Sequence, residues 1–348
     1  PTTVGTYANQ GYSSVNYQDM EEDEQRTFFY KNALGEAFER HNDAVVVDIG
    51  TGGRAVLALL ATSVGFSRVV ALEVNKSSVR QAEDLLTKHP SFGESTLIGD
   101  RRTHITSFTN SRNTLLIANV DATTLDKKTW NLLLGETRSV PVFLVFELFG
   151  DIGSEEGAFE IVSAVKSQLQ EIGYTQIFTI PEQVCTVGRL LFKQDIPVQA
   201  QANVVAGGDV AIVENSGDWL PSSSGTYTLE TSTFGDGTTS MPTGTQYPIV
   251  SLPSSGALFL VATLKLSFQS LIFEVAKQKE TDHPTWRAVV FRLPVDTKQV
   301  QLERVLTHSR GETESIMQSS VGYILHCSGD TAHSIELNNT ALSGERSR

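Results

Sequence analysis

The chain is poor in cysteine, has no long apolar segment and carries fewer basic than acidic residues. Its two cysteines, Cys185 and Cys327, are too few for a disulfide framework and predict a reducing compartment. No apolar run approaches the length that crosses a bilayer, and the first residues lack the basic and apolar regions of a signal peptide. We therefore expect a cytoplasmic protein, with a nuclear location left open, and no membrane partner.

The charge balance narrows the class of partner. With 40 acidic and 27 basic residues, the formal net charge is -13 at pH 7. Such a surplus disfavours a nucleic-acid backbone as the direct partner and favours a cationic substrate, because opposite charges attract at long range. The seven histidines form no close pairs at metal-ligand spacing, so no metal is predicted.

The chain up to about residue 175 has the pattern of an α/β protein. From Glu21 to Arg40, apolar residues recur at helical spacing after an acidic first turn, which predicts an amphipathic helix. Beyond it, apolar runs alternate with amphipathic segments, so we expect a parallel sheet covered by helices. Strands are predicted at 44–50, 68–75, 114–121 and 141–148, and helices at 52–65, 77–89 with a serine cap, 127–138 and 160–172.

The second half has a different pattern. Short segments that alternate or run β-branched between turn residues predict an all-β architecture. Residues 216–256 are rich in Ser, Thr, Gly and Pro and are predicted to form long loops, and residues 340–348 a solvated tail. At 348 residues the chain exceeds what one hydrophobic core usually supports, so we expect one large domain or two fused domains.

A glycine-rich turn follows the first predicted strand. It contains Asp48, Gly50, Gly52 and Gly53. Glycine permits close approach of a ligand to backbone amides, although a sharp strand-to-helix turn needs glycine without any ligand. Glu73 ends the next strand, 25 residues after Asp48, where an acid can bind both hydroxyls of an adenosine ribose. Because Ala55 stands where Gly-x-Gly-x-x-Gly has its last glycine, a dinucleotide is disfavoured and S-adenosylmethionine fits better.

Two acids flank a second glycine-rich turn. Glu147 ends a predicted strand, and Glu156 follows nine positions later. Carboxylates that are brought close raise one another's pKa, so such a pair is typical of a site for a cation, a proton or a metal. A planar, always charged guanidinium is a cation that two carboxylates can hold by paired hydrogen bonds. A solvated acidic turn is the alternative interpretation of this loop.

Four stretches occur in the order, and at about the spacing, found in the protein arginine methyltransferases. They are "YQDMEEDEQRTFFYKNAL", "VVVDIGTGG", "VVALEVN" and "ELFGDIGSEEG". The last is most similar to the type III branch, whose loop has Glu-Leu-Phe, six variable residues and Glu-Gly. The resemblance implies a Rossmann-like class I methyltransferase domain followed by a β-barrel-like substrate domain with a dimerisation arm. It assigns residues 1–40 to a helical segment that closes over the cofactor, 41–178 to the Rossmann-like domain and 179–348 to the β-barrel domain.

The resemblance also implies an activity. A methyl group would pass from S-adenosylmethionine to a guanidinium nitrogen of an arginine-containing protein or peptide. The expected products are ω-monomethylarginine and S-adenosylhomocysteine, and the expected substrates are arginine-glycine-rich or histone-tail-like. The family resemblance further implies a homodimer.

Each matching residue acquires a role through the resemblance. Glu147 and Glu156 would grip the target guanidinium as the catalytic acids. Arg26 would pair with the methionine carboxylate of the cofactor, and Glu73 would hold its ribose. The other implied cofactor contacts are Met20, Asp48, Gly50, Gly52 and Thr103, and the implied substrate contacts are Tyr17, Thr285 and Trp286.

Two departures from the family keep a second class of function open. Arg54 stands where the third glycine of the first motif is usual, and Thr285 stands where a histidine is usual before Trp286. The alternative is therefore a relative without catalysis, acting as a scaffold or activating partner of an active arginine methyltransferase. A small-molecule methyltransferase is disfavoured by the β-rich second half.

Overall fold

A long amphipathic helix precedes the first strand, as the sequence predicts. In the computed structural model, α1 spans Glu24–Arg40. Asp23 caps this helix, because its Oδ1 accepts a hydrogen bond from the backbone N–H of Arg26 at 2.9 Å. The structure describes residues 23–99, 104–149, 157–191, 210–213, 226–234, 245–246, 250–251, 259–274, 288–294, 296–310, 317–329 and 332–337.

The first sheet and its helices follow α1. The strands are β1 Val45–Ile49, β2 Arg68–Glu73, β3 Glu94–Leu97, β4 His104–Thr109, β5 Thr114–Asn119, β6 Val142–Phe146 and β7 Ile177–Ile180. The helices are α2 Val56–Val64, α3 Lys76–Thr87, α4 Lys127–Leu134 and α5 Ala158–Glu171. The strand order is β3-β4-β5-β2-β1-β6-β7, and the five strands from β5 to the β7 edge are parallel to one another. The predicted parallel sheet covered by helices is confirmed.

Three details of this half differ from the sequence prediction. The stretch around residues 94–109 forms an antiparallel hairpin, β3 and β4, that extends the sheet beyond β5. Its strands have mixed polarity, so they carry little of the apolar periodicity that marks a strand. The cap of α3 is Asn75 rather than a serine, since its Oδ1 accepts from the backbone N–H of Ser77 at 2.8 Å. The third detail is β7, which pairs with β6 although its sequence pattern resembles the all-β half.

The second half is built from antiparallel sheets in the part of the chain that the structure describes. Its strands are β8 Gln183–Leu191, β9 Val210–Val213, β10 Thr226–Thr233, β11 Thr245–Gln246, β12 Val250–Ser251, β13 Phe259–Phe268, β14 Leu271–Glu274, β15 Ala288–Arg292, β16 Gln299–Arg310, β17 Met317–Ser328 and β18 Ala332–Leu337. One sheet has the order β10-β8-β13-β15-β9 with β14 beside β13, and the other has the order β11-β16-β17-β18 with β12 beside β16. The β-rich half is confirmed, whereas barrel closure and a dimerisation arm stay predictions.

Three strands, β10, β11 and β12, lie where the sequence predicts loops. β10 occupies part of 216–256 and pairs with β8 along its length, with a register shift between Thr228 and Glu230. Its threonines are β-branched and therefore favour a strand conformation, and the neighbouring strand β8 supplies apolar contacts. Composition alone therefore underestimated strand content in this segment.

The two halves share one hydrophobic core cluster, and a second cluster lies within the β-rich half. Side chains of the β-rich half, among them Phe234, Leu264 and Phe273, are buried in the same cluster as the apolar residues of the parallel sheet and α1. Phe273 of β14 packs on Phe29 of α1, with ring centroids 6.1 Å apart. The β-rich half thus contacts the parallel sheet at the level of the core. Among the described helices, none has the length and apolar composition needed to cross a membrane.

Candidate active site

The predicted motifs meet at the carboxyl edge of the parallel sheet. β1 lies between β2 and β6, and Ile49 is opposite Leu72 on one side and Phe146 on the other. The residues that follow these positions therefore lie side by side: Gly50, Glu73 and Glu147. In open α/β sheets, ligands bind in the crevice outside the carboxyl ends of the strands, where the strand order reverses. β1 and β6 flank that point here, because the chain first builds outward through β2 and then returns to β6.

The glycines of the first turn are required by the backbone. Gly50 and Gly52 have φ angles of +76° and +67°, a region that glycine adopts without strain. A Cβ at Gly50 would meet Cδ2 of Leu148 at 2.8 Å. Leu148 follows Glu147, so the glycine turn and the start of the acidic segment touch.

Asp48 lies beneath this turn with one oxygen available. It is 1 % exposed, and its Oδ2 accepts from Thr51 Oγ1 at 2.6 Å and from the backbone N–H of Ala58 at 3.1 Å. Its Oδ1 is buried without a hydrogen-bond partner among the described residues. Burial raises the pKa of Asp48 from 3.8 to about 7, and the bonds from Thr51 and Ala58 oppose that rise. A buried acceptor in this state suits a polar ligand that brings its own donor.

Glu73 joins the turn after β1 to the segment after β2. Its Oε2 accepts from the backbone N–H of Gly52 at 3.0 Å, and its Oε1 accepts from that of Asn75 at 2.8 Å. Burial raises the pKa of Glu73, while these backbone hydrogen bonds lower it. The structure therefore brings the predicted ribose acid into direct contact with the predicted glycine turn.

Arg26 and Glu147 form a two-point pair at the same edge. Arg26 Nε donates to Glu147 Oε1 at 2.5 Å, and its Nη2 donates to Oε2, across a separation of 121 residues in the chain. The side chains are 2 % and 6 % exposed. Burial opposes the charge of Arg26, but the Glu147 carboxylate outweighs it and raises the pKa of the guanidinium. Burial raises the pKa of Glu147, and Arg26 opposes that rise. The carboxylate is thereby oriented by a guanidinium of its own chain.

Tyr30 supports this pair, and sequence reasoning missed it. It lies one helical turn after Arg26, with the guanidinium carbon 5.8 Å from its ring centroid. Its hydroxyl donates to the carbonyl oxygen of Phe146 at 2.9 Å, which fixes the residue before Glu147. Burial raises the pKa of Tyr30 well above its ordinary value, so the hydroxyl keeps its proton as a donor. The four-residue spacing from Arg26 was the available signal.

Asp121 is a second residue that sequence reasoning did not single out. β5 pairs with β2, with Asn119 opposite Glu73, so the loop after β5 reaches the same carboxyl edge. Asn119 Nδ2 donates to the carbonyl oxygens of Glu73 and Val74, at 3.0 Å each. Asp121 follows two residues later and uses Oδ1 to accept from the backbone N–H of Thr123 at 2.9 Å. Asp121 therefore lies on the loop that follows β5, the strand that neighbours β2.

Six of the predicted site residues lie outside the described residues. They are Tyr17, Met20, Thr103, Glu156, Thr285 and Trp286. Arg54 is described, and its side chain lines a cavity of about 350 Å³ with His89, Phe92 and Asn110. The walls of that cavity include none of the described site residues.

The described residues fit a nucleoside that carries an amino-acid arm. Asp48 has a buried oxygen for an ammonium or hydroxyl group, and Glu73 offers a carboxylate beside the glycine turn. Arg26, whose guanidinium is paired with Glu147, places a cation at the same edge. Within the described ranges, no three His, Cys, Asp or Glu side chains are grouped so that they could hold a metal ion.

The fold is similar to solved protein arginine methyltransferases. The structure of protein arginine methyltransferase 6 with SAH has a TM-score of 0.60 and 14% identity, covering 89% of this chain and 99% of that one. The Trypanosoma brucei PRMT1 enzyme-prozyme heterotetrameric complex with AdoHcy has a TM-score of 0.57 and 11% identity, covering 92% and 96%. Protein Arginine Methyltransferase 10 of Arabidopsis thaliana, in an open conformation, has a TM-score of 0.58 and 12% identity, covering 94% and 97%. No protein-family model and no curated protein sequence matches the chain.

Proposed function

We propose that this chain is an S-adenosylmethionine-dependent protein-arginine N-methyltransferase. The observation that carries the proposal is the position of Glu147, a buried carboxylate that already holds a guanidinium in two-point geometry, directly beside Gly50 and Glu73. The similarity to solved arginine methyltransferases over most of the chain supports the same interpretation.

Four described residues would hold the cofactor. Glu73 would accept hydrogen bonds from the ribose hydroxyls, and Asp48 would accept one from the amino group through its buried Oδ1. Arg26 would face the carboxylate of the methionine arm, and Asp121 would lie near the adenine. The cofactor supplies a methyl group on a positively charged sulfur. Cofactor contacts at Met20 and Thr103 are part of the same proposal.

Glu147 and Glu156 would grip the substrate arginine. Each carboxylate oxygen has two lone pairs, so Glu147 can accept from a substrate guanidinium while Arg26 orients it and favours its ionised form. The pair would aim one guanidinium nitrogen at the methyl group, and its negative charge would favour electron density on that nitrogen. The proton would leave late in the transfer or after it. Tyr17, Thr285 and Trp286 would contact the substrate peptide.

The proposed product is ω-monomethylarginine. A second transfer needs room for the first methyl group, and that methyl also removes one donor from the paired grip. The short segment between Glu147 and Glu156 would provide the crowding, as the likeness to the type III loop implies. Arginine-glycine-rich or histone-tail-like segments are the proposed substrates, since a chain with a net charge of -13 attracts cationic peptides.

A catalytically inactive partner is the second candidate. Arg26 already neutralises Glu147 within the chain, and a scaffold would need nothing more from this pair. Thr285 in place of the usual histidine favours the same candidate. Against it, Gly50 and Gly52 keep the positive φ angles of a glycine turn although Arg54 stands at the third glycine position. Both candidates predict cofactor binding, so methyl transfer is what distinguishes them.

Mass spectrometry of a methylated peptide tests the proposal. An arginine-glycine-rich peptide incubated with the chain and S-adenosylmethionine should gain the mass of one methyl group on arginine. Glu147→Gln and Glu156→Gln should each lower the rate by about a hundredfold or more, because half of the charge-assisted clamp is lost. Binding of S-adenosylhomocysteine without any methyl transfer would favour the inactive partner. Accumulation of dimethylarginine at the expense of the mono form would contradict the product assignment.

A further inference from the structure

A phenylalanine of the β-rich half lies between the two ends of the acid-bearing segment 147–157. The Phe234 ring is 4.9 Å from that of Phe146 in a T-shaped arrangement, and 6.0 Å from that of Phe159. Phe146 is the residue before Glu147, and Phe159 comes three residues after Glu156, in the first turn of α5. A single buried ring therefore contacts the chain on both sides of the proposed catalytic acids.

The backbone of Phe234 is held from two directions. Its N–H donates to the carbonyl oxygen of Glu182 at 2.8 Å, which ties it to the start of β8. Its carbonyl oxygen accepts from Lys166 Nζ on α5. Phe234 itself is 4 % exposed. The ring position is thus determined by β10, β8 and α5 together.

Arg304 makes a second link to the same segment. It lies on β16 and is 1 % exposed, and its Nη2 donates to Glu160 Oε1 at 2.7 Å. Glu160 is in the first turn of α5, four residues after Glu156. The N-cap of α5 is Gly157, which has no side chain to cap the helix. The ion pair with Arg304 therefore holds a helix start that lacks a side-chain cap.

We propose that Phe234 and Arg304, in the β-rich half, are positioning residues that hold Phe146 and the start of α5, the two described ends of the segment that carries the proposed catalytic acids. This inference rests on the proposed function of the two acids. Phe234 acts through Phe146 and Phe159, and Arg304 acts through Glu160. Neither residue is proposed to touch the substrate.

The consequence follows from the geometry of a two-carboxylate grip. A misplacement of a reacting group by about 1 Å can cost about a hundredfold in rate. Glu147 and Glu156 belong to the segment that these two contacts anchor, whereas Asp48, Gly52 and Glu73 belong to β1, β2 and the turn between them. Disturbing the contacts of Phe234 and Arg304 should therefore lower kcat/KM for the peptide and leave cofactor affinity unchanged.

Two variants test the proposal. Phe234→Leu replaces the ring that contacts Phe146 and Phe159 by a smaller side chain. Arg304→Met removes the charge that pairs with Glu160. Each should lower kcat/KM for an arginine-glycine-rich peptide by about tenfold or more, with the affinity for S-adenosylhomocysteine unchanged within about twofold. Arg304→Lys, which keeps the charge, should recover part of the loss. Loss of cofactor affinity in parallel with kcat/KM would overturn the proposal, because it would indicate general damage to the fold.

Matched controls separate positioning from stability. Phe291→Leu makes the same change at a fully buried ring of β15 that belongs to the other core cluster. Arg189→Met breaks another buried ion pair of the β-rich half, that with Glu274, whose side chains are 7 % and 8 % exposed. Both controls should lower the unfolding temperature and keep kcat/KM. Equal losses of kcat/KM in the controls would overturn the proposal.

Hydrogen exchange gives a readout that does not depend on activity. Amides of 146–149 and 157–160 should exchange faster in Phe234→Leu and Arg304→Met than in the wild type, and at the wild-type rate in the two controls. Unchanged exchange in both test variants would overturn the proposal even if their activity fell. Absence of methyl transfer by the wild-type chain would instead contradict the proposed function, and the exchange measurement would still decide whether Phe234 and Arg304 hold the segment.

Discussion

The Glu73 carboxylate is the side chain that joins two parts of the candidate site. It accepts from the backbone N–H groups of Gly52 and Asn75, and these belong to the turn after β1 and to the cap of α3. The hydrogen bonds leave lone pairs on both oxygens, which ribose hydroxyls can use. Recognition of the nucleoside can therefore be tested at one residue.

Glu73→Ala should weaken S-adenosylhomocysteine binding by about 1–3 kcal/mol, because buried donors of the ligand and of the turn lose their acceptor. Calorimetry measures the loss. Glu73→Gln is the matched variant and should lose less, since one acceptor oxygen remains. Equal affinity of the alanine variant and the wild type would remove Glu73 from the site. If the wild type gave no binding heat and no thermal shift with S-adenosylhomocysteine, cofactor binding itself would be contradicted.

Asp48 gives a pH-dependent prediction. Its pKa is about 7 in the folded protein and 3.8 ordinarily, so between these values the folded state binds a proton that the unfolded chain releases. The free energy of unfolding that Asp48 contributes therefore falls as pH rises through this window, and it is constant above it.

Asp48→Asn should remove this dependence. From pH 5 to pH 8, the free energy of unfolding of the variant should gain about 2–3 kcal/mol relative to the wild type, since each pKa unit corresponds to about 1.4 kcal/mol. Urea unfolding at several pH values measures the difference. Parallel curves for the two proteins would mean that Asp48 is ionised in the folded state throughout.

Helix starts are the elements whose energetics can be tested most directly. The α3 cap is formed by Asn75, which accepts from the backbone N–H groups of Ser77 and Ser78, at 2.8 Å and 3.4 Å. Asn75→Ala should lower the free energy of unfolding by about 1 kcal/mol. Asn75→Asp keeps an acceptor and adds a charge that suits a helix N-terminus, so it should be nearly neutral. Equal stability of the two variants in urea would contradict the capping role.

Element type was predictable where local spacing carries the signal. The runs ending at Ile49, Glu73 and Phe146 are apolar and β-branched, and each forms the expected parallel strand. The β3–β4 hairpin was missed because its residues have mixed polarity and no clear period. β10 was missed because a Thr-rich segment resembles a loop until a neighbouring strand pairs with it.

At the scale of the whole molecule, we predict a homodimer. Isologous two-fold contacts are the default for soluble homo-oligomers, and the resemblance to the arginine methyltransferases implies the same. Light scattering at micromolar concentration should give the mass of two chains. The mass of a single chain across that range would contradict the prediction.

The sequence by itself determined the parallel sheet, the glycine turn and the acids at strand ends, because all three depend on neighbours a few residues apart. The residue that follows a parallel strand lies at the carboxyl edge of the sheet, independently of how the rest of the chain folds. Local spacing was therefore enough to place Asp48, Glu73 and Glu147 at one edge of the sheet.

Tertiary structure alone decided which distant residues meet there. The pairing of Arg26 with Glu147 spans 121 residues, and the contact of Phe234 with Phe146 joins the two halves. Asp121 reaches the edge because β5, and not the β3–β4 hairpin, lies beside β2. These contacts depend on strand order and on packing between sheets, which arise from the sum of many weak interactions and leave no local pattern in the sequence.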